Sequence, residues 1–169
     1  TFKPMEHIDM DRWKQWSDTF ADIVKKCGYP NCSSARISPE TYDAIVNGKS
    51  KADEGKGYRA FLNSIILFSL MKTLEDGCSY RPAMLILDSP ILTLKEKIRP
   101  DELADPGMRA SLFRYMIENC GDNQIIIAEN EIPSAQVVDY SSARMIEFTL
   151  DKNSGVYGFL KSVRNSENR

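Results

Sequence analysis

Three short stretches carry residue types that could do chemistry. In "LILDSP", Leu85 to Pro90, an apolar run ends in a carboxylate, Asp88, and passes at once into Ser89 and Pro90. In "IIIAEN", Ile125 to Asn130, a second apolar run ends in Glu129 and Asn130. The third stretch, Gly55-Lys56-Gly57, stands in front of the long apolar segment "YRAFLNSIILFSLMKTL". In open α/β sheets ligands bind beyond the carboxyl ends of the strands. A carboxylate there can hold Mg²⁺, usually through water, while the metal holds phosphate oxygens. Glycines let a backbone approach an anion, and a helix N-terminus favours negative charge. The set therefore suits a charged, phosphate-bearing ligand with a metal. The same residues also fit a purely structural role, with Asp88 capping the turn and Glu129 solvated at a strand end.

The elements that must position these residues follow from periodicity. Trp13, Trp16, Phe20, Ile23, Val24 and Cys27 recur at three- and four-residue steps, so 9–27 reads as an amphipathic helix closed by Gly28 and Pro30. Residues 34–37 and 42–47 are short strands. The polar, glycine-bearing 50–57 is a loop. Residues 58–74 lack Gly and Pro and are apolar on most sides, which describes a buried helix. Residues 83–88 and 124–128 are uninterrupted apolar strands, and the first is expected at the centre of a parallel sheet. A helix over 108–119 joins them, with Leu112, Met116 and Phe113 inward. In the tail, Ile146, Phe148 and Leu150 alternate, "DKNSG" turns, and "VYGFL" returns as a hairpin partner.

Two glycine motifs invite other readings. Gly48-Lys49-Ser50 resembles the end of a phosphate-binding P-loop, but that motif needs a glycine where this chain has Asp43, and a helix starting at once. The reading is rejected. "GKGYRA", Gly55 to Ala60, matches a dinucleotide fingerprint, with Asp88 at the end of the next strand. That fingerprint should follow directly from an apolar strand, whereas "SKADE" precedes it, and the acid lies further on than the usual spacing of about 20 residues.

With 42% hydrophobic and 27% charged residues the chain is globular rather than disordered. Its net charge of −2 gives no electrostatic case for nucleic acid across the whole surface. The four cysteines fit no zinc spacing, and His7 is the only histidine. No secretory signal or membrane-length apolar run is present, so reduced thiols in the cytoplasm are expected.

Taken in order, the motifs resemble the C-terminal lobe of an ABC-type ATPase head of the SMC-like and RecF-like class, which carries a long coiled coil. The resemblance spans roughly 34–160. "MLILDSP" is similar to a Walker B strand, "GKGYRAFLNSIILFSL" looks like the signature loop and helix, and "QIIIAENEIP" stands where that family has its switch loop. The resemblance implies an α/β, P-loop NTPase-like lobe: a mainly parallel sheet with flanking helices and a C-terminal antiparallel hairpin. Residues 1–30 would be a helical lead-in at the end of a coiled coil, and 31–169 the lobe itself. ATP and Mg²⁺ are the implied ligands. Asp88 would hold the metal shell, and Gly55, Lys56 and Gly57 would meet the γ-phosphate of ATP bound to an opposing head. The implied partners are an N-terminal Walker A lobe of the same protein, a second head in a homodimer, and DNA in repair or defence, with no membrane.

Two departures from the family pattern matter. Ser89 follows Asp88 where a glutamate is usual, and the switch histidine is missing. Glu129 or Asn130 would then take the base or water-positioning role. No P-loop occurs in the 169 residues, so the chain, which opens on Thr1, is expected to be the C-terminal portion of a larger protein and to hydrolyse almost no ATP alone. Two alternatives stay open: a non-hydrolysing, nucleotide-gated dimerisation module, and a Rossmann-type dinucleotide-binding oxidoreductase.

Overall fold

The structure is a computed structural model that describes residues 9–91, 94, 107–149, 151, 156 and 157. Helix α1, Met10–Lys26, starts where Asp9 caps it: the Asp9 carboxylate accepts from the N–H groups of Asp11 (3.0 Å) and Arg12 (3.3 Å). Lys25 and Lys26 occupy its last turn, where cations complement the helix dipole. The chain then turns through Gly28 at φ +73°, and the Tyr29 N–H bonds back to the Val24 carbonyl. The buried stripe of α1 is Ser17, Phe20, Ile23 and Val24, continued by Cys27. Trp13 and Trp16 are half-buried, and the Trp16 indole donates to the Ser69 hydroxyl at 3.0 Å.

Strands β1, Ala35–Ile37, β2, Ala44–Val46, and β3, Lys49–Ser50, form an antiparallel three-stranded meander. Helix α1 packs on β1, where the buried Ser17 hydroxyl accepts the Ile37 N–H at 3.0 Å. Between β2 and β3 the chain reverses on Asn47-Gly48, both at positive φ (+52° and +78°), the geometry of a two-residue primed turn. The Asn47 side chain also accepts from the Ser33 N–H and hydroxyl and from the Ser34 N–H. Gly48-Lys49-Ser50 is thus hairpin, not phosphate loop. Strand β3 lies partly in the segment expected to be a loop; at two polar residues it is too short to show alternation.

A 3-10 turn, Lys51–Asp53, leads to α2, Lys56–Glu75. Its 20 residues bury Phe61, Leu62, Ile65, Ile66, Phe68 and Met71, which do not lie on one stripe, because α1, the strand 44–46 and the strand 84–88 all pack against it. The C-terminal carbonyls of α2 are met by α1: the Arg12 guanidinium donates to the Asp76 carbonyl at 2.6 Å and the Thr73 carbonyl at 3.4 Å. A charge-assisted bond to a helix C-terminus is worth on the order of 1 kcal/mol, and here it ties the two helices together.

Strand β4, Met84–Asp88, pairs in parallel with β5, Gln124–Ala128, with Asp88 opposite Ala128. Between them in sequence lies α3, Gly107–Glu118, which buries Met108, Ala110, Leu112, Phe113 and Met116. Strand β4 was expected to be buried on both faces. Only one is: Leu85 and Leu87 are buried, whereas Met84, Ile86 and Asp88 are exposed, Ile86 by 60%. On β5 the residues opposite these, Gln124, Ile126 and Ala128, are exposed too. The cause is that the described sheet has two strands and is covered on one side.

These strands form separate sheets, and the expectation of one mainly parallel sheet gives way here to an antiparallel three-stranded meander and a two-stranded parallel pair. All four cysteines are free. No helix of the described residues is long and apolar enough to cross a membrane.

By its contacts the chain divides into two units, Thr1–Val138 and Asp139–Arg169. In the second, β6, Phe148–Thr149, pairs with β7, Val156–Tyr157, in parallel rather than as the antiparallel hairpin expected. Residues 150–155 join the two strands. Of that connection, which includes the expected turn "DKNSG", only Asp151 is among the described residues. Leu150, part of the expected alternating face, lies outside the described residues.

Candidate functional site

The parallel pair ends in a rim built from both strands. Asp88 is the last residue of β4, and the ladder runs one step further, with the Ser89 N–H donating to the Ala128 carbonyl at 2.8 Å. Ser89 then takes φ +54°, the left-handed region, which a non-glycine residue enters at a cost of roughly 1 kcal/mol. Its hydroxyl donates to Asp88 Oδ1 at 2.8 Å. Asp88 is exposed, and among the described residues that hydroxyl is its one hydrogen-bond partner, which leaves Oδ2 uncommitted by them.

Glu129 follows β5 directly. Its Oε2 accepts the N–H of Ile91, in the chain beyond Asp88, at 3.2 Å, and its Oε1 accepts the Asn130 N–H at 2.9 Å. Asn130 is exposed. The fold thus brings four of the seven sequence-derived candidates, Asp88, Ser89, Glu129 and Asn130, to one edge. Glu129 is not merely solvated there. The bond to Ile91 spans 38 residues, and nothing in local sequence announces it.

The other three candidates open α2. Gly55 is its N-cap residue, with extended backbone and no side-chain cap, and no acid stands in the first turn. The Gly55 carbonyl accepts the Arg59 N–H at 3.0 Å, while the N–H groups ahead of Arg59 lie before the first intrahelical bond. A Cβ at Gly55 would meet nothing within 4 Å, so this backbone is open to approach. Lys56 is exposed and Gly57 buried. Tyr29 braces this end of the helix, its ring 5.4 Å from that of Tyr58, edge to face, and 6.4 Å from Phe61. Burial, with help from Glu54, pushes the Tyr29 phenol well above its usual range and keeps it neutral. Sequence reading passed over Tyr29. No hydrogen bond or ion pair among the described residues joins this turn to the Asp88 rim.

The dinucleotide reading of "GKGYRA" loses its context. A short antiparallel strand and a 3-10 turn precede Gly55, whereas that fingerprint requires the tight strand-to-helix turn of a βαβ unit.

As a metal site the rim has a definite character. Among the described residues no three His, Cys, Asp or Glu side chains stand together as a metal cage. One exposed carboxylate with a free oxygen suits Mg²⁺, which keeps several waters and takes its remaining ligands from a substrate phosphate. Ca²⁺ or Zn²⁺, which need more protein ligands, fit it poorly.

No protein-family model matches the chain, and no curated protein matches it. A solved structure described in the words "Structural biochemistry of ATP-driven dimerization and DNA stimulated activation of SMC ATPases" does match. Its TM-score is 0.51 at 17% identity, over 77% of this chain and 76% of that one. At this identity the likeness is one of fold: over about three quarters of its length the chain is folded like that SMC ATPase structure.

Proposed function

We propose that this chain is the Walker B and signature half of an SMC-like ATPase head. On this reading it binds Mg²⁺ and ATP together with a Walker A lobe, and a second head closes over the nucleotide. The observation that carries the reading is the Asp88 rim: a carboxylate at the end of a parallel strand, with one oxygen uncommitted, beside a sheet face left open. The likeness to the SMC ATPase structure supports it.

Asp88 would hold the metal through its free oxygen, directly or through water. The bound metal would neutralise the β- and γ-phosphate oxygens of ATP, which is most of what phosphoryl transfer needs. The uncapped turn Gly55-Lys56-Gly57 would offer N–H groups and one positive charge to a phosphate bound on the other head. Asn130, exposed beside Glu129, would position the attacking water. The open face of Met84, Ile86 and Ile126 would receive the Walker A lobe. DNA is the proposed client.

The test joins this chain to the Walker A lobe of its own protein and measures ATP turnover against Mg²⁺. The joined protein should turn over ATP and the chain alone should not. Failure of the joined protein to bind nucleotide at all would overturn the reading.

A second reading, a nucleotide-gated dimerisation module without hydrolysis, is favoured by one feature. The position after Asp88 holds Ser89, whose hydroxyl is engaged with Asp88 itself. ATP-dependent dimerisation of the joined protein without phosphate release would select it.

A further inference from the structure

Glu129 carries an acid to the rim, but both of its oxygens are already engaged by backbone N–H groups. We infer that Glu129 is a positioning residue: its carboxylate clips the chain behind Asp88 to the end of β5 and so fixes where the Asp88 carboxylate points.

The chain reaches the clip through a constrained path. Asp88 sits in register with Ala128, and the Ser89 N–H extends the ladder to the Ala128 carbonyl. At Ser89 the backbone swings into the left-handed region, and Pro90 follows. A serine does not rest there unless its surroundings hold it. Two bonds flank it: the ladder bond on one side and Glu129 Oε2 to the Ile91 N–H on the other. Ile91 is 2% exposed, so its N–H has no ready supply of water if the carboxylate is removed. The same arrangement aims the Ser89 hydroxyl at Asp88 Oδ1 and leaves Oδ2 open. Glu129 therefore bears on the rim through the backbone.

The consequence for the metal rests on the function proposed above; the clip itself does not. A base and a clip also respond differently to a neutral acceptor. Gln keeps one carbonyl oxygen for the Ile91 N–H, gives up the bond from the exposed Asn130 N–H because its amide NH2 only donates, and cannot take a proton from water, whereas Ala accepts from neither N–H.

The experiment compares Glu129→Gln and Glu129→Ala in the protein joined to its Walker A lobe, with two readouts. Amide hydrogen exchange across Ser89–Ile91 should quicken about tenfold or more in E129A, as expected for a lost buried bond, and by much less in E129Q. The Mg²⁺ concentration for half-maximal turnover should rise about tenfold in E129A, while E129Q stays within a few-fold of the parent. Unchanged exchange in E129A overturns the clip. Turnover impaired as much in E129Q as in E129A, with exchange preserved in E129Q, also overturns the inference, because Glu129 would then be acting on a proton. Faster exchange with an unmoved Mg²⁺ dependence removes the link to Asp88. If the parent protein shows no Mg²⁺-dependent turnover, the hydrolysing form of the proposed function fails, and the clip is judged by exchange alone.

Discussion

Replacing Asp88 by asparagine is expected to lower Mg²⁺-dependent ATP turnover of the joined protein by on the order of a hundredfold or more. Asparagine keeps the shape of the side chain and an acceptor for the Ser89 hydroxyl, so the rim should keep its form. It loses the negative charge that holds a hard divalent cation. Because Asp88 is exposed, the fold should be little affected, with a stability change within about 0.5 kcal/mol. The checks are a phosphate-release assay across a Mg²⁺ titration and an unfolding curve for the same variant. Loss of turnover together with loss of stability would point to a structural role for Asp88. Full turnover would remove it from the metal site.

The second large effect concerns the open sheet face. Ile86 and Ile126 stand opposite each other on neighbouring strands, exposed by 60% and 42%. Apolar side chains left out on a parallel pair are unusual, because parallel sheets are normally covered on both faces. A charge at either position should be tolerated by this chain alone, since the site is already in water. In the joined protein it would be buried without a partner, which costs several kcal/mol, or about a hundredfold in association at the least. Ile86→Glu and Ile126→Glu should therefore each weaken binding between this chain and a separately expressed Walker A lobe, as read by titration calorimetry. Equal affinity for parent and variants would show that this face is not where the lobe docks.

The fold was largely legible where periodicity and capping agreed. Helix α2 was plain because 58–74 is long, apolar and free of Gly and Pro, and both strands of the parallel pair stood out as unbroken apolar runs. Continuous apolarity misled about burial. It marks a strand able to be covered on both faces, and the described structure covers only one. The hairpin at Asn47-Gly48 was missed, although that dipeptide favours a two-residue turn, because its second strand is two polar residues long and periodicity has nothing to act on there. The tail strands paired in the unexpected sense because alternation gives the face of a strand, not its direction.

Of the candidate site, Asp88, Ser89, Glu129 and Asn130 could be chosen from sequence because two strands end in polar groups and parallel pairing brings those ends together. What Glu129 does could not be read. Its partner is a backbone N–H reached only after the chain has passed through α3 and returned. Tyr29 escaped for a related reason: its contact with Tyr58 depends on the way α1 ends at Gly28.

The central claim is that Asp88 delivers its carboxylate to a magnesium-bound nucleotide. It is tested most directly by placing Mn²⁺ and a non-hydrolysable ATP analogue on the joined protein, with this chain labelled with ¹⁵N, and recording which amide signals broaden. Relaxation by Mn²⁺ falls steeply with distance, so the account expects Ser89 and Asn130, on either side of the rim, to broaden first and D88N to abolish the effect. Sharp signals at both residues with the nucleotide fully bound would contradict it.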